Sequence, residues 1–207
     1  MAWLKPNARM EQAIARLKEG NRQFCGQTQN PAIFSPALRQ RLRASGQSPY
    51  AVVVSCSDSR VPPEHVFSAG LGELFVVRTA GHVVDDGAMG SIVYAVTQLD
   101  VPLILVMGHE DCGAVKAAIK GAAGDGALSA LASRIAIGLH GEADLPHCIS
   151  IHVGNTVSQL QAQPELGPLI QAGKLFVTGA VYHMDDGTVE FLPVDGAYDP
   201  GKDERAD

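Results

Sequence analysis

The sequence lacks the features that mark nucleic-acid-binding and membrane proteins. Its 207 residues include 16 lysines and arginines against 22 aspartates and glutamates, for a net charge of −6, and no basic run occurs. Nucleic acids and anionic membranes need clustered positive charge, so neither is expected as a partner. No apolar stretch is long enough to cross a bilayer, and the first residues do not form a secretory signal. We therefore expect a cytoplasmic protein.

Cysteines, repeats and linkers are also scarce. Four cysteines are too few for a disulfide scaffold in a chain of this length, and in a reducing compartment they serve as thiols or metal ligands. No repeat, low-complexity segment or clear linker divides the sequence. With 46% hydrophobic residues, the chain can bury a substantial core. We expect residues 1–207 to form a single domain.

Residues 1–46 are predicted to form an N-terminal helical arm. Apolar residues recur at helical spacing after Asn7, a residue type that commonly caps helices. Ser35 and Pro36 are typical of the start of a second, short helix, which Gly46 would end. Because the arm precedes the first strand, we expect it to reach a second subunit. Packing on its own core is the alternative.

From residue 50 onward the pattern predicts an α/β fold. Apolar, β-branched runs without alternation are typical of parallel strands buried on both faces, and here they alternate with segments of helical spacing. Asp185, Asp186 and Gly187 have hairpin-turn chemistry, so residues 188–192 would return as an antiparallel edge strand. We predict a mostly parallel central sheet of four strands plus this edge strand, flanked by helices. The parallel strands are predicted over residues 50–55, 74–78, 103–107 and 175–182, and residues 195–207 are predicted to be a flexible tail.

Two cysteines and one histidine follow predicted strands. Cys56 comes directly after the first strand, and His109 follows the third, where we expect Gly108 to allow a sharp turn. Cys112 lies three residues later at a predicted helix start, which favours a thiolate. Because ligand crevices form at the carboxyl ends of parallel strands, the three side chains can meet. Two thiolates and one imidazole leave one position of a tetrahedral zinc site open, which is typical of catalytic sites.

The motifs around these residues resemble those of β-class carbonic anhydrases. The family signature, Cys-x-Asp-x-Arg followed by His-x-x-Cys, stands here as Cys56, Asp58, Arg60, His109 and Cys112, and the likeness covers nearly the whole chain. The resemblance implies a zinc lyase that hydrates carbon dioxide reversibly to bicarbonate and a proton, through attack of zinc-bound hydroxide. It also implies a homodimer or homotetramer with a small-molecule substrate.

The resemblance implies a role for each of these residues. Zinc (Zn²⁺) would be held by Cys56, His109 and Cys112. Asp58 would be a catalytic residue that accepts a hydrogen bond from the zinc-bound water, and Arg60 would pair with its carboxylate and keep it ionised. In the family this pair can also break, so that Asp58 becomes a fourth zinc ligand and closes the site. The sequence does not decide between the open and the closed state.

One departure from the family pattern concerns regulation. Relatives with an inhibitory bicarbonate pocket carry a Trp three residues before the first ligand Cys, where this sequence has Val53, although Arg78 and Tyr182 remain. We predict no strong inhibition by bicarbonate through that pocket. His65 and His82 follow strands near the predicted crevice, so either could carry the proton that the reaction releases.

Three alternative functions stay open from the sequence. A zinc hydrolase of the same fold, acting on carbonyl sulfide or carbon disulfide, would use the same ligands. A structural zinc module would need a fourth Cys or His ligand, and a redox protein would join Cys56 and Cys112 in a reversible disulfide. Turnover on the three gases, the number of ligands and the amount of bound zinc distinguish these alternatives.

Overall fold

The structure is a computed structural model that describes residues 5–28, 34–121 and 125–193. The predicted flexible tail, residues 195–207, lies outside the described residues. Within the three described ranges, no helix combines the length and the apolar character that are needed to cross a bilayer.

The centre of the fold is a mixed sheet of five strands: β1 (Ala51–Cys56), β2 (Leu74–Thr79), β3 (Leu103–His109), β4 (Phe176–Tyr182) and β5 (Val189–Phe191). Their order is β2-β1-β3-β4-β5, with β1 to β4 parallel and β5 antiparallel to β4. Every residue of β1, β3 and β4 is buried, as their apolar composition requires. The predicted four parallel strands and antiparallel edge strand are confirmed.

Helices cover both faces of the sheet. They are α1 (Ala8–Cys25), α2 (Pro36–Ser45), α3 (Pro63–Val66), α4 (Asp86–Gln98), α5 (Gly113–Lys120), α6 (Ala127–Leu139), α7 (Leu145–Gln161) and α8 (Gly167–Gln171). Alternate strand residues point to opposite faces. Val53 and Leu105 join the core formed with α1, α5 and α6, whereas Val54 and Ile104 join the core formed with α4.

The first helix of the N-terminal arm packs on its own chain. Asn7 caps α1, because its side-chain oxygen accepts hydrogen bonds from the N–H groups of Arg9 at 3.0 Å and Met10 at 3.1 Å. Met10, Ala13 and Leu17 are buried in the core of the same chain. α1 therefore packs on its own core, and the reach of the arm to a second subunit stays a prediction. By contrast, α2 has no buried residue.

Asn21, on α1, connects three parts of the chain. Its side-chain nitrogen donates to the carbonyl oxygens of Val66 at 3.2 Å and Gly187 at 2.8 Å, and its side-chain oxygen accepts from the N–H of Val189 at 3.0 Å. Asn21 is buried, so solvent competes little for these hydrogen bonds. They attach α1 to α3 and to the hairpin between β4 and β5.

The neighbouring strands β1 and β3 end at the same edge of the sheet, with Cys56 and His109 as their last residues. The predicted sharp turn at Gly108 is wrong, because this residue lies within β3 and opposite Val181 of β4. A Cβ atom at Gly108 would come within 2.6 Å of the side chain of Val153 on α7. Glycine is needed there for a close helix contact rather than for a turn.

Candidate metal centre

The three predicted metal ligands meet at this edge of the sheet. The sulfurs of Cys56 and Cys112 and a ring nitrogen of His109 all lie within 4.8 Å of one another, and the three residues are buried. Cys112 is the N-cap residue of α5, so one helix start and two strand ends deliver these side chains to one point. Across the described parts of the chain, no other group of three or more Cys, His, Asp or Glu side chains meets this condition.

His109 presents one unpaired ring nitrogen to this point. Its Nδ1 lies 2.7 Å from the main-chain oxygen of Glu110. Because a carbonyl oxygen only accepts, Nδ1 carries the proton and Nε2 presents a lone pair. This Nε2 is buried and has no hydrogen-bond partner among the described residues. An unpaired buried nitrogen beside two sulfurs fits the donor set of a tetrahedral zinc site.

The two sulfurs have different environments. The Cys56 sulfur accepts hydrogen bonds from the N–H groups of Gly81 at 3.2 Å and Asp58 at 3.4 Å. The pKa of Cys56 falls to about 4, chiefly because the thiol of Cys112 donates to it. The pKa of Cys112 rises because of the same hydrogen bond and because of burial. The environment of the metal-free site thus favours negative charge on Cys56, and the predicted Cys112 thiolate of the metal-bound site stays a prediction.

Asp58 and Arg60 form a forked ion pair. Arg60 donates from Nε to Oδ1 at 2.9 Å and from Nη2 to Oδ2 at 2.7 Å, and its main-chain N–H also donates to Oδ1 at 2.9 Å. These contacts hold the pKa of the Asp58 carboxyl well below its usual range. Asp58 is thus ionised at neutral pH, and its carboxylate does not join the group of three ligand atoms.

Arg78, on β2, fixes the main chain between Cys56 and Asp58. Its Nε donates to the carbonyl oxygen of Cys56 at 2.9 Å, and its Nη2 donates to that of Asp58 at 2.6 Å. The N–H of Ser57 donates in turn to the carbonyl oxygen of Thr79 at 2.9 Å. The segment that carries the Cys56 sulfur and the Asp58 carboxylate is therefore anchored to β2 by the Arg78 side chain and by a main-chain hydrogen bond.

Two sets of contacts at the site were not predicted from the sequence. One is the hydrogen bond from Gly81 to the Cys56 sulfur. The other joins the Glu110 carboxylate to Nδ1 of His183 at 2.8 Å and to the N–H of Met184 at 3.0 Å. The partners lie 25 and 73 positions apart, so local spacing carries no signal for them. Only the position of Glu110 beside a predicted ligand, and of Gly81 just after a strand, pointed to these residues.

The two histidines considered as proton carriers lie in different settings. His65 is exposed on α3. His82 is fully buried, and neither of its ring nitrogens has a hydrogen-bond partner within the described residues. Burial lowers the pKa of His82 well below its ordinary value. His82 thus stays neutral at physiological pH and has no exposed surface from which to release a proton.

Comparison with known proteins identifies the family. A sequence model described as carbonic anhydrase matches residues 51–189. The solved structure of the β-carbonic anhydrase CcaA, 26% identical in sequence, superposes with a TM-score of 0.69 over 87% of this chain and 95% of that chain. The chain belongs to the β-class carbonic anhydrases. Family membership makes it an enzyme and supports hydration of carbon dioxide as its reaction.

Two curated carbonic anhydrases and a further solved structure extend this similarity. Carbonic anhydrase 2 of Mycobacterium tuberculosis (strain ATCC 25618 / H37Rv) is 42% identical over 195 residues, which are 88% of this chain and 92% of that protein. The carbonic anhydrase of Mycolicibacterium smegmatis is 42% identical over 197 residues, 89% and 94% of the two chains. The β-carbonic anhydrase CafA of Aspergillus fumigatus, 25% identical, covers 91% of this chain and 92% of its own with a TM-score of 0.71. The similarity thus spans nearly the full length of this carbonic anhydrase.

Proposed function

We propose that this enzyme catalyses the reversible hydration of carbon dioxide to bicarbonate and a proton with one zinc ion, held by Cys56, His109 and Cys112. The observation that carries the proposal is the buried, unpaired Nε2 of His109 within 4.8 Å of two sulfurs. Zinc bound there would lower the pKa of a coordinated water from about 15.7 toward about 7 and so supply the nucleophile. The protein's contribution is a set of three ligands, two of which, His109 and Cys56, are oriented by further hydrogen bonds.

These orienting contacts are specific. The Glu110 carbonyl fixes the ring of His109 so that Nε2 points to the site, and the N–H groups of Gly81 and Asp58 stabilise negative charge on Cys56. Two thiolates would neutralise the charge of the ion, so the site should acidify water less than a set of neutral imidazoles. Another group must then help to hold the nucleophile.

We assign Asp58 as that catalytic residue and Arg60 as the residue that holds it. The Asp58 side chain is 19% exposed, and its ionised carboxylate is turned in a fixed direction by two side-chain hydrogen bonds from Arg60. The lone pairs left on its oxygens can accept a hydrogen bond from the attacking water. The intact pair favours the open state, in which Asp58 is not a zinc ligand.

The contacts near Val53 support the prediction that bicarbonate does not inhibit this enzyme strongly. Val53 is fully buried in the core, and both of the Arg78 contacts described above go to main-chain oxygens of the site. Arg78 therefore has a structural task that does not require an anion. We expect added bicarbonate to cause no cooperative loss of activity, measured as initial hydration rates against bicarbonate concentration. A steep, sigmoidal loss would contradict this expectation.

We propose that the enzyme is a homodimer or a homotetramer. β2 is an edge strand, so one side of its main chain has no strand partner among the described residues. Leu71 and Tyr94 are 38% and 49% exposed, and Tyr94 lies beside Phe75 of β2, with 6.3 Å between ring centroids. Exposed apolar side chains next to an edge strand favour association with a second copy. Light scattering on the purified protein tests this, and a monomer would contradict it.

The single-domain and cytoplasmic predictions also stay as proposals. The described residues share one sheet with one core on each face, which supports a single domain. All four cysteines are free thiols, and three of them are buried, which favours a reducing compartment such as the cytoplasm.

The test of the proposed function is zinc analysis of freshly purified protein combined with stopped-flow measurement of carbon dioxide hydration across pH. We expect about one zinc per chain and hydration that increases with pH, as deprotonation of a coordinated water requires. Zinc-loaded protein that leaves carbon dioxide unchanged would contradict the proposal. Faster turnover of carbonyl sulfide or carbon disulfide would favour the hydrolase alternative, and zinc-free protein with a Cys56–Cys112 disulfide would favour the redox alternative.

A further inference from the structure

His152, on α7, is connected to the metal centre through one glycine. Its Nε2 lies 2.7 Å from the carbonyl oxygen of Gly81, and the N–H of the same glycine donates to the Cys56 sulfur at 3.2 Å. Because a carbonyl oxygen only accepts, Nε2 of His152 carries the proton and is the donor. Both hydrogen bonds are buried, so two successive contacts lead from the His152 ring to the proposed ligand.

Gly81 adopts a conformation that its surroundings must maintain. Its φ of 61° and ψ of 27° are left-handed, and the next residue, His82, also has a positive φ of 45°. Residues other than glycine rarely adopt such angles, and they persist where neighbouring contacts hold them. A Cβ atom at Gly81 would come within 2.9 Å of the side chains of Ala114 and Ile135. The hydrogen bond from His152 fixes the carbonyl end of this turn, and the opposite end faces Cys56.

His82 provides an internal comparison for His152. The two rings are stacked, with 4.3 Å between centroids and 27° between planes, and both residues are buried. His82 has no side-chain hydrogen bond within the described residues, whereas His152 binds the Gly81 carbonyl. His152 also borders a polar cavity between α6 and α7. Both histidines are buried, but within the described residues only His152 makes a hydrogen bond to the glycine that contacts Cys56.

We propose that His152 is a positioning residue of the metal centre. By holding the Gly81 carbonyl, it directs the Gly81 N–H onto the Cys56 sulfur and stabilises the thiolate that binds the metal. The inference rests on the proposed zinc site. A hydrogen bond to a thiolate disperses its charge, which keeps the sulfur deprotonated and lowers its reactivity toward electrophiles. Loss of this contact should therefore make the ion easier to release and the sulfur easier to alkylate.

The experiment uses the zinc-loaded protein and two readouts that do not depend on catalysis. One is the rate of zinc transfer to excess chelator, and the other is the rate at which iodoacetamide modifies Cys56, measured by peptide mass spectrometry. His152→Phe keeps an aromatic ring on His82 but removes the donor, and we expect zinc release to be faster by about 10-fold or more. The matched control is His82→Phe, which removes an equally buried imidazole without a hydrogen bond and should keep the parental rates.

A second pair of variants serves if His152→Phe does not fold. His152→Gln retains an N–H donor at similar reach, and His152→Met has similar length without a donor. We expect the glutamine variant to approach the parental rates and the methionine variant to release zinc and react faster. Parental rates in His152→Met, or equal acceleration in His82→Phe and His152→Phe, would overturn the positioning role while zinc binding stands. A parent protein without zinc would overturn the proposed function itself.

Discussion

The two segments that supply the sulfurs differ in how firmly the protein holds them. The Cys56 sulfur accepts two main-chain hydrogen bonds, and Arg78 binds the carbonyl oxygens on either side of Ser57. Cys112 is the N-cap of α5, yet its side chain makes no capping hydrogen bond there. The Cys56 sulfur is therefore held by main-chain contacts that suit a thiolate before any ion binds. The Cys112 sulfur has no comparable capping contact.

The largest effects should come from removing either sulfur. Cys56→Ser and Cys112→Ser each delete a direct ligand, so we expect zinc affinity to fall by more than the roughly 10–100-fold typical of contacts one step further out. Zinc content after dialysis is the measurement. Cys148→Ser is the control, because this buried thiol donates to the Glu142 carbonyl, away from the site, and its loss should leave zinc bound. Full zinc retention in either ligand variant would refute the ligand set.

The next largest effect should come from the carboxylate on the firmly held segment. Asp58→Asn removes a charged acceptor without changing its size, and we expect hydration to slow by about 10²–10⁴-fold while most zinc stays bound. Asp111→Asn is a matched control that should leave hydration largely unchanged. Asp111 is a second carboxylate near Arg60, at 3.8 Å, but it pairs mainly with Lys116. Stopped-flow hydration assays and zinc analysis of the same samples give the result. A fully active Asp58→Asn enzyme would remove Asp58 from the mechanism.

Loosening the firmly held segment should have an intermediate effect. Arg78→Lys keeps the charge but cannot bridge two carbonyl oxygens with a planar fork, so we expect a loss of about 10–100-fold in activity or zinc affinity. Arg60→Lys should affect activity with little change in zinc binding, because Arg60 pairs with the carboxylates of Asp58 and Asp111 rather than with a proposed metal ligand. Identical behaviour of the two variants would mean that the contacts of Arg78 do not support the ligand.

The smallest effect is a difference in thiol reactivity in the zinc-free protein. The pKa of Cys56 is lowered to about 4 and that of Cys112 is raised, so at pH 6 only Cys56 is a thiolate. We expect iodoacetamide at pH 6 to modify Cys56 and to spare Cys112, as read by peptide mass spectrometry. Equal modification of both cysteines would contradict the difference in pKa between Cys56 and Cys112.

The same difference sets the sign of a pH effect on stability. An unfolded cysteine has a pKa of about 8.5, so the lowered pKa of folded Cys56 stabilises the zinc-free protein fully above that value. The contribution is lost as the pH falls through about 4. Chemical denaturation of the zinc-free protein should therefore show a smaller free energy of unfolding at pH 5 than at pH 8, and Cys56→Ser should reduce this dependence.

Much of the fold and the meeting of Cys56, His109 and Cys112 could be predicted because both are encoded locally. The apolar runs of β1 and β3 identify buried parallel strands. Because these strands are neighbours in the sheet, their carboxyl ends bring Cys56 and His109 together independently of helix packing. Contacts that depend on how a helix packs could not be predicted. His152 and Gly81 lie 71 positions apart, so the sequence gives no sign of their hydrogen bond. The glycine at position 108 suggested a turn, whereas the structure needs it for the close contact with α7. The pKa of Cys112 depends on Cys56 and on burial, which its position at a helix start does not reveal.

Asn21 has a consequence for how the molecule opens. The buried amide of Asn21 joins α1 to α3 and to the β4–β5 hairpin. Its partners in the hairpin, Gly187 and Val189, lie 166 and 168 positions further along the chain. Neither the early helix nor the late hairpin can detach while the amide keeps its partners. The amide protons of both should therefore exchange with deuterated solvent in one cooperative step, rather than fraying separately as chain ends commonly do.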